Sequence, residues 1–392
     1  MKTKYFAAVM VIIYGVMASY NATEAAESAV PEPFRGFDDT SDHAVNYDDL
    51  SDLLEMMVLD KGMSDRRLAQ PAPVITGTRM KAKISKTANE GNQFFYEEFM
   101  RNEAGRQFLR QIQTNLLQVP DETPLEKFSR REQLAYWLNL YNVTVLNEVI
   151  AVYPKRSLRD LIQGEESFFS EKLLTVSGVP LSLDDIRLAI LKQNYDYNPL
   201  ILYGLYQGIV GGPNVRTSAY SGSNVYSALE DNAYEFINSN RGTFAYDESV
   251  FRVSSFYDRN REYFPDFESD LSSHLLSYLE GPERTRLQTA NELRPNIDDW
   301  TVTDLGGTRN DNIGGSLANN HAAMLDSFRG PRKANGGVSI ASVIVKRPTE
   351  KPEKESTVTV DDIGRLPGER QGATVEEITG EEFESEQTKT AD

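Results

Sequence analysis

The sequence predicts one α+β domain, mostly helical with a small antiparallel sheet, followed by a disordered acidic tail. Three observations carry that expectation. Ser129 to Pro154 reads as one long capped helix with apolar residues at helical spacing. Leu173 to Leu183 turns on Ser177-Gly178 between two apolar runs, as a short β-hairpin does. After Leu287 the apolar residues give way to Gly, Asn, Asp, Thr and Glu, too little apolar surface to offset the entropy of ordering.

Taken from the start, Lys2 and Lys4 precede the apolar run Tyr5 to Met17, which is too short for a comfortable membrane span. Thr23 and Ala25 then suit a cleavage site, so residues 1–25 read as a secretory signal, an uncleaved anchor being the alternative. No cysteine follows the apolar run, which excludes a lipoprotein anchor. The mature protein is expected to be soluble and periplasmic or secreted, without stable membrane insertion. Residues 26–45, rich in Pro, Ser, Asp and Glu, read as a flexible lead-in. The domain is assigned to residues 46–287 and the tail to 288–392.

Within the domain, Leu50, Leu53, Leu54, Met57 and Val58 mark a first helix. Phe94, Phe95, Phe99, Phe108, Ile112 and Leu116 mark a second, divisible at Asn102 to Gly105. Thr123-Pro124-Leu125-Glu126 is a helix-start signal. Ser129 with Glu132 repeats it as a capping box and opens the central helix, whose apolar face runs through Leu134, Leu138, Tyr141, Val145 and Val149. Pro154 closes that helix, and Ser157 with Asp160 caps a short one after it. Beyond the hairpin, Ser182 with Asp185 caps a helix through Ile186, Ile190 and Leu191. Asn224 to Asn238 is a further helix, Thr243 to Val253 a pair of strands, and Phe256–Phe264 and Phe267–Leu279 the last helices.

Composition excludes several functions. The chain of 392 residues carries a formal net charge of −18, with a pI near 4.8. Neither nucleic acid nor anionic lipid suits so acidic a surface. There is no cysteine, hence no disulfide, thiolate metal site or Cys nucleophile. The three histidines, His43, His274 and His321, share no metal-ligand spacing, and no cofactor fingerprint is present.

REQLAYWLNLYN at 131–142 resembles the signature helix of the bacterial family called domain of unknown function 547, whose hallmark is A-F-W-(I/L)-N-x-Y-N. VSGVPLSLDDIRLAIL (176–191), ILYGLYQGIVGGPNVRTSAY (201–220) and FRVSSFYDRNREYFPDF (251–267) are similar to three further family segments in order, so the resemblance spans roughly residues 46–280. By analogy alone, the family's Cys and His motifs suggest a papain-like thiol hydrolase or transferase. Here Gln207 and Gly212 stand at the two Cys positions, and Arg187 and Leu188 replace Glu and His. A thiolate site needs both partners, so the resemblance implies that this copy has lost that mechanism. If so, Gln207 and Leu188 should meet at the old site.

The remaining candidates each have a plain structural alternative. Trp137, Asn139, Tyr141 and Asn142 are the polar points of the central helix; the asparagines are expected to bind backbone of neighbouring loops, a ligand role being the alternative. Gly208, Gly211 and Gly212 could present N–H groups to an anion beside Gln207, but they lack any P-loop pattern, and a tight turn explains them. His274 with Ser221 or Ser223 and Asp258 or Asp266 lacks the G-x-S-x-G elbow of a serine triad, and reads as a surface or helix-end histidine. Asp184–Asp185 suits a helix start and Glu165–Glu166 a polar loop. No catalytic or metal residue is assigned. The function expected is a non-catalytic, pseudoenzyme-like exported protein binding an unknown protein or cell-envelope ligand. The alternative is a hydrolase or transferase using a non-thiol site in the same cleft.

Overall fold

A helix enclosed on every side needs apolar residues all round, and Arg130–Val152 supplies them. In a computed structural model of the protein, every residue of that helix from Glu132 to Leu146 is buried except the half-buried Asn142. One apolar face was expected; the observed helix is the axis of the core. The structure describes residues 30–68, 86–87, 90–164, 167–245, 249–305 and 344–346. All belong to the first of two compact units, Met1–Glu350; the second, Lys351–Asp392, lies outside the described residues, as do the expected signal segment and the Glu165–Glu166 pair.

In chain order, strand β1 (His43–Val45) precedes helix α1 (Asp48–Met57) and strand β2 (Val58–Leu59). Strand β3 (Gln93–Phe94) pairs with β2 and leads into α2 (Tyr96–Arg101) and α3 (Glu103–Glu122), divided at Asn102 as expected. The Asn102 side chain accepts from the Gly105 N–H at 3.0 Å and so caps α3. The start signal at Thr123 yields only one 3-10 turn, Leu125–Lys127. The central helix, α4 (Arg130–Val152), follows, then α5 (Arg159–Gln163). Strands β4 (Leu174–Val176) and β5 (Val179–Leu181) form the expected hairpin, with Ser177 and Gly178 both in the left-handed region its turn requires. A wide π-type helix, Asp185–Leu191, continues into α6 (Lys192–Asn194), its start held by reciprocal Ser182–Asp185 hydrogen bonds. A 3-10 segment, Pro199–Gly204, precedes α7 (Val225–Ile237).

Strands β6 (Thr243–Ala245) and β7 (Val250–Ser254) pair antiparallel, and α8 (Ser255–Asp258), α9 (Phe267–Tyr278) and α10 (Gly281–Thr289) follow. Strand β8 (Glu292–Ile297) then adds to β7 in parallel, and β9 (Ile344–Lys346) pairs antiparallel with β1. The architecture is thus α+β with mostly antiparallel strand pairs, as expected. Among the described residues no helix is long and apolar enough to cross a membrane.

Two boundaries move. The lead-in is built in: Phe34 is fully buried and meets Trp137 edge-on, ring centroids 5.1 Å apart. The expected tail is also built in as far as Leu305. Beyond β8 the Val210 N–H donates to the Thr301 carbonyl, Gly211 N–H to Asp299, and Thr303 N–H to Gly208. A sparse anchor such as Phe34 or Val302 is invisible to composition but decisive once a partner surface exists.

The capping box is half as predicted. Ser129 Oγ accepts from the Glu132 N–H at 3.3 Å, but the Glu132 carboxylate turns inward. It accepts from the Val45 N–H (3.0 Å) and the Gly222 N–H (2.8 Å), tying the lead-in and a distant loop to α4.

The two asparagines make the loop contacts expected of them. The Asn139 amide donates to the Tyr220 carbonyl (2.8 Å), and the Tyr220 N–H returns to its Oδ1 (3.0 Å). Asn142 does the same between the Gly204 carbonyl (2.9 Å) and the Tyr206 N–H (3.0 Å). Asn139→Ala leaves buried backbone groups unpaired and is expected to cost about 2–3 kcal/mol in chemical denaturation. A loss below about 0.5 kcal/mol would contradict this role.

Candidate functional site

The central helix, α5, the start of the π-type helix and the turn after α8 meet around a cleft of about 470 Å³. Its lining is Tyr141 from α4, Ile162 and Gln163 from α5, Phe169, Asp184 and Arg187 at the π-type helix, Gln207, and Arg259 just after α8. Two guanidiniums face one carboxylate among these residues, leaving one net positive charge in a strongly acidic protein.

Arg187 is held on several sides. Its guanidinium pairs with Asp184 at 2.8 Å and donates to the Arg259 carbonyl (2.9 Å) and Asn260 Oδ1 (2.6 Å). Burial opposes its charge, but Asp184 beside it outweighs that and raises its pKa above the ordinary value. Arg259 donates to Gln207 Oε1 (2.8 Å) and Ser255 Oγ (2.7 Å), and lies over the Trp300 ring at 4.6 Å. Its Nε–H is buried without a partner. Burial pushes its pKa down to about 10, which still leaves it charged at neutral pH.

The Tyr141 hydroxyl is likewise buried without a hydrogen-bond partner. Burial first, with Arg187 opposing and Asp184 adding, places its pKa well above the usual tyrosine range, so it stays a donor. An unpaired buried hydroxyl costs free energy. Two donors without a partner thus belong to side chains that line one cleft.

Of the residues singled out from sequence, Tyr141, Arg187 and Gln207 come together here. Trp137 does not: it packs against Phe34 and Tyr136 in the core. Asn139 and Asn142 are committed to backbone, as described above. Leu188 packs on the edge of the core, and Gln207 engages Arg259. Of the neighbouring pair, Arg187 and not Leu188 lines the cleft with Gln207. The N–H groups of Gly211 and Gly212 are spent on the Asp299 and Ile209 carbonyls, and the Gly208 carbonyl accepts from Thr303, as a tight turn requires. A Cβ on Gly208 (φ +75°) would meet Val149 at 2.8 Å, and one on Gly211 would meet Asp299 backbone at 2.9 Å. The Gly212 carbonyl accepts from Arg241 Nε.

His274, expected at the surface or a helix end, is half-buried in the middle of α9. Its ring stacks on Tyr203, with Nε2 2.9 Å from that hydroxyl, while Ser221 pairs with Ser223. Burial pushes its pKa down to about 4, against about 6.5 for a free imidazole. The unfolded chain therefore binds more protons between these values, so this contribution is complete above pH 6.5 and fades toward pH 4. Allowing for residual ring exposure, it is worth roughly 1–2 kcal/mol. Denaturation at pH 7 and pH 5 should show that loss in the wild type and a smaller one in His274→Phe; equal losses would refute it.

Sequence reasoning missed Ile162, Gln163, Phe169 and Arg259, and took Asp184 for a helix-start charge. The i,i+3 spacing of Asp184 and Arg187 was a usable signal for their pairing. Nothing in Asp258-Arg259-Asn260-Arg261 separates the covered Arg259 from Arg261, which pairs at the surface with Asp258. Among the described residues no group of three or more His, Asp or Glu is placed to hold a metal ion.

Comparison with family models gives a match over residues 125–237 to the family described as protein of unknown function, DUF547. That stretch contains all the cleft residues except Arg259. It is narrower than the resemblance drawn from sequence, and the 251–267 segment lies outside it. No curated protein and no solved structure matches the chain. Residues 125–237, which hold the central helix and most of the cleft, are thus similar to the DUF547 family.

Proposed function

We propose that this is an exported, non-catalytic, pseudoenzyme-like binding protein of the bacterial cell envelope, with the cleft as its ligand seat. The observation that carries this reading is the state of the cleft's chemical groups. Its one carboxylate is ion-paired to Arg187, its phenol is held protonated, and its remaining polar groups are guanidiniums and carboxamides. Such groups hold an anion well and supply neither an activated nucleophile nor a free base. The chain has no cysteine, and His274 is committed to Tyr203. Export is supported by Lys2, Lys4 and the apolar run that follows, and makes a periplasmic or secreted location the natural one.

Incubation with ester, amide and peptide substrates is expected to show no turnover above a heat-denatured control. Saturable turnover that Gln207→Ala abolishes would replace this reading with that of a hydrolase or transferase working without a thiol.

A further inference from the structure

We infer that the cleft takes a monoanionic carboxylate attached to an apolar body, of the kind presented by the C-terminal residue of a peptide or by an N-acyl amino acid. The inference rests on the reading of the cleft as a ligand seat, and adds the chemical class of what sits there.

Charge is the first argument. Among the lining side chains Arg187 and Arg259 against Asp184 leave one positive charge, and Asp298 near Arg259 reduces it further, so a monoanion is matched better than a phosphate dianion in a partly covered site. Donor placement is the second. Each terminal nitrogen of Arg259 already makes one hydrogen bond, to Ser255 or Gln207, and those of Arg187 bond Asp184, Asn260 and the Arg259 carbonyl. Arg259 Nε–H and the Tyr141 hydroxyl make none. These two wholly unused donors can each be met by one oxygen of a carboxylate.

Shape is the third argument. A bare ion would leave most of a cleft of about 470 Å³ empty. Ile162 and Phe169 line it, and Phe169 stacks on Phe168 with centroids 4.4 Å apart, giving an apolar wall beside the donors. A small ligand with one charged end and one apolar end satisfies both surfaces.

Isothermal titration of the protein with N-acetyl-L-phenylalanine, its amide and phenyl phosphate tests this. Saturable binding of the acid is expected, with the amide at least about tenfold weaker and phenyl phosphate weaker than the acid. Tyr141→Phe removes only the unpaired hydroxyl, so it should fold as the wild type does and bind the acid several-fold more weakly; Arg259→Gln should lose about tenfold or more. Phenyl phosphate binding as tightly as the acid would overturn the carboxylate assignment and leave the anion seat standing. Equal binding of acid and amide, or no binding of either anion, would overturn the seat itself.

Discussion

Ending the chain after Leu287 is expected to abolish cooperative folding, whereas ending it after Glu350 leaves a foldable unit. The stretch between Leu287 and Leu305 supplies β8, the only parallel partner of β7 among the described residues, and a run of backbone bonds to three other parts of the fold. Phe94, Leu158, Val210 and Gly211 donate N–H groups to the carbonyls of Thr303, Trp300, Thr301 and Asp299. Val302, Thr303 and Leu305 donate back to Arg156, Gly208 and Phe94. At roughly 1 kcal/mol for each pairing, their joint loss is of the order of the whole stability of a domain, about 5–15 kcal/mol. Removing the buried Leu293 and Val302 adds to it. Far-ultraviolet circular dichroism and urea unfolding of both truncated chains would decide the matter. An unchanged urea midpoint for the chain ended at Leu287 would refute the structural place given to this segment.

The second large effect is expected at Arg241, which is fully buried beneath the glycine turn that follows Gln207. Its guanidinium grips both oxygens of Glu235, donates to Asn214 Oδ1 at 3.0 Å and to the Gly212 carbonyl at 3.4 Å, and lies over Phe236. Burial works against its charge, but Glu235 beside it raises its pKa above the ordinary value. Arg241→Met would strand the Glu235 carboxylate in the interior, and breaking a buried pair from one side costs about 3–5 kcal/mol. Replacing both partners removes the stranded charge, so Arg241→Met with Glu235→Leu should regain more than half of that loss. If the double variant is no more stable than the single one, the pair is not the interaction that matters there.

Local chemistry made much of this fold legible. The length of α4, the Ser177-Gly178 hairpin, the Ser182–Asp185 cap and the loop-binding role of Asn139 and Asn142 each depend on neighbours in sequence or on the rule that a buried amide finds partners. Long-range pairing was not legible in the same way. Phe34 and Val302 are lone apolar residues in polar stretches, and only the surface they land on makes them core. Glu132 has the position of a capping-box acid, and only the folded chain shows it reaching Val45 and Gly222 instead. The cleft divides along the same line. Tyr141, Arg187 and Gln207 sit in motifs that stand out by themselves. Arg259 is one arginine among several until Trp300 comes back across it from a segment that composition assigned to the tail.

That arginine is also where the account is most exposed to test. Its Nε–H is a buried donor without a partner, and the ligand seat requires it to find one when an anion binds. Arginine Nε–H resonances can be followed by proton–nitrogen correlation spectroscopy, and that of Arg259 identified by its loss in Arg259→Lys. On titration with N-acetyl-L-phenylalanine the Arg259 signal is predicted to shift saturably while that of the enclosed Arg241 stays in place. An Arg259 signal that remains fixed up to saturating ligand, or that moves no more than Arg241, would contradict the cleft as the binding site.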